Sequence, residues 1–198
     1  MTSAGDSAVL LPLIVWITLW LVVPAETRHD GLRWALAVCA CAGGVVLSKL
    51  LFMGWGIGLP GLDYTGFSGH SAMSMLVWPT TAALLTRRAR LTWRAINIGL
   101  GVLLALGIAV SRVVLRAHSV SEVILGSGYG LLICAVLLWE QPATQKISAR
   151  AIALFAGMGM LIALTCYGRV FPSQHILKRV ALELSGHDKA FRRTMPLR

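Results

Sequence analysis

Six apolar stretches, separated by short polar breaks, run along the chain. The first covers residues 8–23 and stops at Pro24 and the polar run Ala25-Glu26-Thr27-Arg28-His29-Asp30. The second covers 32–53, with Arg33 at one end and Lys49 inside its last turns. The others cover 71–85, 96–110, 123–139 and 151–166. A bilayer span takes roughly 20 apolar residues, with a working range of about 17 to 25. The pattern therefore predicts an all-α integral membrane protein of about six transmembrane helices, with a helical-bundle core formed by spans two to five. The residues before the first stretch include Asp6 and no Lys or Arg, and no small-x-small cleavage site precedes the charged run. We therefore expect a retained helix and not a cleaved leader.

The breaks are not alike. Residues 54–70 are too rich in Gly and Pro for regular helix and predict a loop or re-entrant segment. Residues 111–122 combine Ser111, Arg112, Arg116, His118, Ser119 and Glu122, whereas 87–94 form a basic turn and 140–150 a polar connector holding Pro142. In the tail, 167–198, Ile176, Leu177, Val180, Ala181 and Leu184 recur at helical spacing with Lys178, Arg179 and Glu183 between them. Two readings stand for it: a short interfacial helix or a poorly ordered basic tail.

Composition narrows the class. The 198 residues are 57% hydrophobic and 13% charged, against roughly 25% charged in soluble domains, and mean hydropathy is +0.74. A soluble globular protein and a disordered chain are both excluded. Cys39, Cys41, Cys134 and Cys166 sit inside apolar stretches, which excludes a disulfide scaffold. The 18 Lys+Arg against 8 Asp+Glu give +10. With no room for a separate basic domain, anionic membrane lipid is the expected partner and nucleic acid is not.

Six spans place the breaks at 54–70 and 111–122 on the same side of the membrane. Together with the end of the second span they supply Lys49, Asp63, Ser68, His70, Ser111, Arg112, Arg116, His118 and Glu122. An anionic headgroup among cations is the simplest use of this set. Arg112 can fork two hydrogen bonds onto a phosphate, Lys49 adds a point charge, and the Ser68-Gly69-His70 amides can line an anion pocket at a helix start. His118 and Glu122 stand four apart, so the carboxylate can fix the imidazole tautomer and make His118 a nucleophile. His70 is then available to protonate the leaving oxygen and afterwards activate water, in a two-step hydrolysis through a phosphoenzyme. Asp63 reads as a loop cap outside the site, and His29, His175 and His187 as structural. A metal held by His70, His118, Asp63 and Glu122 suits those ligand types, but Lys49, Arg112 and Arg116 would repel it. A channel or transporter would need a repeated polar face along a span, which none carries.

These residues carry a resemblance. Ser68-Gly69-His70 resembles the Pro-Ser-Gly-His motif, and Ser111-Arg112-x5-His118-x3-Glu122 the Ser-Arg-x5-His-x3-Asp motif, of the type-2 phosphatidic acid phosphatase superfamily. That superfamily includes lipid phosphatases and undecaprenyl pyrophosphate phosphatases. The resemblance implies His118 as nucleophile, Glu122 as its orienting carboxylate, His70 as general acid, and Lys49, Ser68, Gly69 and Arg112 as phosphate ligands. It also implies that no metal or other cofactor is needed, since cations and amides stabilise the charge. Three departures stand out. The family's first motif is Lys-x6-Arg-Pro, but Gly56 and Ile57 follow Lys49 at those positions; Phe67 replaces a proline; and Glu122 replaces aspartate. Arg116 is expected to bind phosphate in place of the missing arginine.

The expected organisation is one membrane domain over 1–198, with a phosphatase-like core at about 45–140. The expected activity is hydrolysis of a lipid phosphate or polyprenyl pyrophosphate through phosphohistidine. A lipid phosphotransferase would use the same site, and a catalytically silent protein binding or transporting anionic lipid would fit the missing arginine. Substrate identity and oligomeric state stay open. Arg28, Arg33, Arg87, Arg88, Arg90, Arg94, Lys146 and Arg150 share one face, so the positive-inside rule puts the site on the exterior, periplasmic side of a bacterial-type inner membrane. The basic tail, with Arg169, Lys178, Arg179, Lys189, Arg192, Arg193 and Arg198, argues the other way. A cysteine replacing Arg90 should stay unlabelled by a membrane-impermeant thiol reagent in intact cells and react after lysis; labelling from outside would reverse the orientation.

Overall fold

Pro24 ends the first apolar run because its ring lacks the N–H that another helical turn needs. A 3-10 turn follows at Ala25–Thr27, and the buried Thr27 hydroxyl donates to the Leu21 carbonyl at 2.8 Å, reversing the chain. The computed structural model describes residues 7–59, 61–139, 148–166 and 173–193. Asp6, Pro142, Lys146, Arg169 and Arg198 lie outside the described residues. The helices are α1 (Ser7–Val22), α2 (Arg28–Trp55), α3 (Gly69–Leu85), α4 (Leu91–Val114), α5 (Val120–Trp139), α6 (Ala149–Cys166) and α7 (Ser173–Ser185). The protein is all-α and an integral membrane protein: α2, α4, α5 and α6 are long and apolar enough to cross a bilayer. At 16 and 17 residues, α1 and α3 are shorter than the roughly 20 of a straight span.

The shortness of α3 goes with its place. It lies at the centre of the bundle, with α1, α2, α4 and α5 packed around it, and buries polar Ser71, Ser74 and Thr80 as well as Met75, Leu76 and Val77. A helix that faces protein need not be as apolar as one that faces lipid. Thr80, for instance, donates its hydroxyl to the Leu76 carbonyl at 2.7 Å.

Small residues let the neighbours approach. A Cβ at Gly101 of α4 would stand 2.8 Å from Pro79 Cα, and one at Gly130 of α5 would stand 2.1 Å from the Ala72 carbonyl oxygen. Between helices in lipid, attraction comes from close packing of this kind, because the tails are as apolar as the side chains. The outer helices expose Leu36, Leu103, Leu132 and Leu164, the surface a bilayer would cover. On the flank, α6 packs on α1 through Trp16, Trp20 and Phe155, and Trp16 donates its indole N–H to the Phe155 carbonyl at 3.3 Å. The tail forms α7, which packs on α2 with Ala181 buried. Within that segment residues Ser173–Ser185 are helical.

One basic residue of the 87–94 turn is not the exposed anchor it resembles. Arg87 is 3% exposed and pairs with Asp30, itself 4% exposed. The pair joins the start of α2 to the end of α3. Removing one partner strands a buried charge, a loss of about 3–5 kcal/mol, whereas removing both costs much less. Asp30→Ala should therefore lower the melting temperature in detergent markedly, and Asp30→Ala combined with Arg87→Met should recover most of that loss.

Candidate active site

Two turns shape the end of the bundle where α3 and α5 begin. The first closes α4. Arg116 stands at φ +52, its N–H donates to the Val113 carbonyl at 2.8 Å, and the Ala117 N–H reaches back to the Arg112 carbonyl at 3.0 Å. These paired bonds around a left-handed residue make a Schellman turn with arginine where glycine is usual. The Arg112 carbonyl also accepts from the His118 N–H at 3.3 Å.

The second turn opens α5. Ser119 Oγ accepts the Glu122 N–H at 3.3 Å, and Glu122 Oε2 accepts the Ser119 N–H at 3.2 Å. This reciprocal exchange is a capping box. A glutamate is the residue that reaches back to the cap, which gives a physical reason for the departure from aspartate.

Glu122 is fully buried, and its two oxygens are shared among different elements. Oε2 also accepts from His118 Nδ1 at 2.7 Å. Oε1 accepts from the Thr65 N–H at 2.8 Å and hydroxyl at 2.5 Å, and from Arg193 Nη2 at 2.7 Å. The carbonyl of the same residue takes the Ser68 N–H at 3.1 Å. Lys49, buried on α2, lies against Gly66 of the 54–70 loop, where a Cβ would stand 2.7 Å from its Cγ.

The 63–68 part of the loop is therefore tied to the head of α5. Ser119 and Ser121 donate their hydroxyls to the Asp63 carbonyl, and Gly126 lets Ser68 approach: a Cβ there would stand 2.9 Å from the Ser68 oxygen. Phe67 has its own explanation as a departure. Its N–H donates to Ser48 Oγ at 3.0 Å, a bond that a proline could not make, and its ring stacks on Tyr129 with centroids 5.2 Å apart. Beside it, burial raises the Tyr64 phenol above its usual pKa despite a hydrogen bond with Ser48.

The structure thus joins His118 to the Glu122 carboxylate and Ser68 to the Glu122 main-chain carbonyl, with Lys49 against the same loop at Gly66. Gly69 and His70 open α3, whose first helical bond runs from the Ala72 N–H to the Ser68 carbonyl. The amides of Gly69, His70 and Ser71 lie ahead of the helix's own ladder. Ser68 corrects the expected anion pocket: its N–H is spent on Glu122, and its buried hydroxyl accepts from Ser71 at 2.9 Å. It holds the loop instead of offering an amide. Arg112 is half-buried in the last turn of α4, and Arg116 is exposed.

A cavity of about 590 Å³ is lined by the polar Asp63, Arg116, His118, Ser119 and Ser121 and by the apolar Leu62, Val113, Val120, Ile124 and Leu125. Asp63, read from the sequence as a loop cap, takes the Ser119 and Ser121 hydroxyls on its main-chain carbonyl, and its carboxylate pairs with Arg193 at 2.6 Å. Arg193 and Thr65 were not expected here, and no motif marks either. Ser119 did have a signal, since Ser119-x-x-Glu122 ahead of an apolar run is a capping-box pattern.

The profile of the PAP2 superfamily matches residues 49–146. A protein of Klebsiella pneumoniae described as "Uncharacterized 22.5 kDa protein in cps region" is 36% identical over 195 residues, covering 96% of this chain and 92% of that one. This chain belongs to the PAP2 superfamily. No solved structure matches it. PAP2 proteins are phosphatases, so membership supports phosphoric ester hydrolysis as the general activity, with a phosphate ester as substrate and membrane lipid around the helices. The stretch matched to PAP2 begins at Lys49 and contains Thr65, Ser68, His118 and Glu122, but not Arg193.

Left-handed backbone costs an L-residue about 1–2 kcal/mol, and glycine gives part of that back to chain entropy. Arg116→Gly should therefore stabilise the α4–α5 turn by up to about 1 kcal/mol. A raised melting temperature in detergent would show it, and a lowered one would mean that the arginine side chain holds the turn.

Proposed function

We propose that the protein is a membrane phosphatase acting on a lipid phosphate or polyprenyl pyrophosphate through a phosphohistidine. The observation that carries this reading is the cavity: His118 and Arg116 line it together with the apolar Val113, Val120, Ile124 and Leu125 of α4 and α5. Such a space suits an amphiphile, with a charged headgroup at the loops and a chain along the helices.

His118 Nδ1 gives its proton to the Glu122 hydrogen bond, which leaves Nε2 as the atom with a free lone pair. Nε2 attacks phosphorus in line as the phosphorus–oxygen bond to the leaving group breaks, and His70 protonates the departing oxygen. Water then attacks the phosphohistidine, His70 takes its proton, and inorganic phosphate leaves with His118 restored. Glu122 stabilises the positive imidazole formed on the way. Lys49, Arg112, Arg116 and the first amides of α3, Gly69 included, offset charge on the transferring phosphoryl group. No metal or other cofactor enters this scheme. The exposed Arg88 and Arg90 in the α3–α4 turn support a cytoplasmic placement of that turn, and hence a site on the exterior, periplasmic side of a bacterial-type inner membrane.

The test is phosphate release by the purified protein from phosphatidic acid, phosphatidylglycerol phosphate and a polyprenyl pyrophosphate. At least one should be hydrolysed, with kcat in His118→Ala lower by about 10³-fold or more. Arg116→Ala should lose activity if Arg116 binds phosphate, and near-normal turnover would remove it from the site. Lipid binding without release from any substrate would favour a silent binding protein.

A further inference from the structure

The C-terminal segment after α7 runs back to the candidate site. His187 Nδ1 donates to the Gly54 carbonyl at 2.8 Å, and the Phe191 N–H donates to the Met53 carbonyl at 2.9 Å, so the segment is pinned to the end of α2. The Phe191 ring lies against Gly56, which stands at φ +69. A Cβ at that position would come within 2.9 Å of the ring. Gly56 is the position at which the family's first motif has its arginine. Two residues beyond Phe191, Arg193 reaches into the loops and spreads its guanidinium between two carboxylates, Nη1 to Asp63 at 2.6 Å and Nη2 to Glu122 at 2.7 Å.

We propose that Arg193 is a positioning residue for the reaction: delivered by a C-terminal arm, it supplies at the site a cation where the chain has Gly56 in place of the motif arginine. It acts through Glu122. His118 holds one oxygen of that carboxylate and Arg193 the other. The guanidinium fork therefore fixes the plane of the group that aims the imidazole. It also offsets two negative charges, Asp63 and Glu122, beside a pocket that has to accept an anion. Arg193 is 71 residues from Glu122 and 130 from Asp63 in sequence, so the contact also closes the tail onto the core.

This proposal rests on the phosphatase reading, and two measurements separate the two. The first is steady-state kinetics of the full-length protein with the lipid it hydrolyses best. Arg193→Ala should lower kcat by about 10- to 100-fold with KM changed less than about threefold, while Arg192→Ala keeps parental values. Either Arg193→Lys or millimolar guanidinium added to Arg193→Ala should restore part of kcat, which a purely structural loss would not allow. An unchanged kcat in Arg193→Ala, a rise in activity, a change confined to KM, or failure of both rescues would overturn the proposal. The second is hydrogen exchange over 187–193, which should be slow in the parent and faster in Asp63→Asn. Free exchange in a parent that turns over would overturn the proposal alone. A parent inert on every substrate would overturn the phosphatase reading and the catalytic role of Arg193 with it, and slow exchange would then leave only a docked arm.

Discussion

The Glu122 carboxylate sits fully buried in a protein that is mostly hydrocarbon-facing, and a bare charge there would cost several kcal/mol. The fold meets that cost with donors from three separate places: the Thr65 amide and hydroxyl in the 54–70 loop, the adjacent His118 ring and Ser119 amide at the head of α5, and Arg193 from the tail. None of these elements neighbours all the others in sequence. Satisfying one anion therefore requires that one loop, one helix start and the C-terminal arm arrive together. The same contacts fix the imidazole, so the folding constraint and the proposed catalytic geometry coincide.

The central helix makes this convergence possible. Buried on several sides, α3 serves as the reference against which α4 and α5 are placed, with Gly101 and Gly130 marking the crossings and Gly126 bringing α5 against the residue that starts α3. Its first turn is joined to Glu122 by a main-chain bond from Ser68. Packing between helices thus sets the relative height of the two motifs.

Much of this was legible in the sequence. Apolar run lengths gave the helical membrane class, and the four-residue step from His118 to Glu122 gave the dyad, because both follow from local periodicity. What escaped notice depends on long-range contact or on backbone state. Arg87 looks like its neighbours in a basic turn, and only the return of α3 to the start of α2 turns it inward onto Asp30. Arg193 lies in a basic tail beyond the helically spaced residues, and nothing nearby announces that Phe191 and His187 anchor it. The left-handed state of Arg116 was hidden because arginine carries no preference for it. Ser119 was the opposite case. Its capping pattern was visible, but the glutamate had been absorbed into a different motif.

The bond from the His118 amide to the Arg112 carbonyl bears on the five-residue gap between them. That gap is the contour length of a single closed turn: it leaves α4, inverts at Arg116 and delivers His118 one residue ahead of the α5 cap. The interval acts as a ruler more than as a set of side chains. One residue inserted or removed there would break the register between the turn and the capping box, and the imidazole and the guanidinium of Arg112 would no longer share an origin. The number of residues in the interval is thus held by geometry, separately from what Val113 and Arg116 add to the cavity.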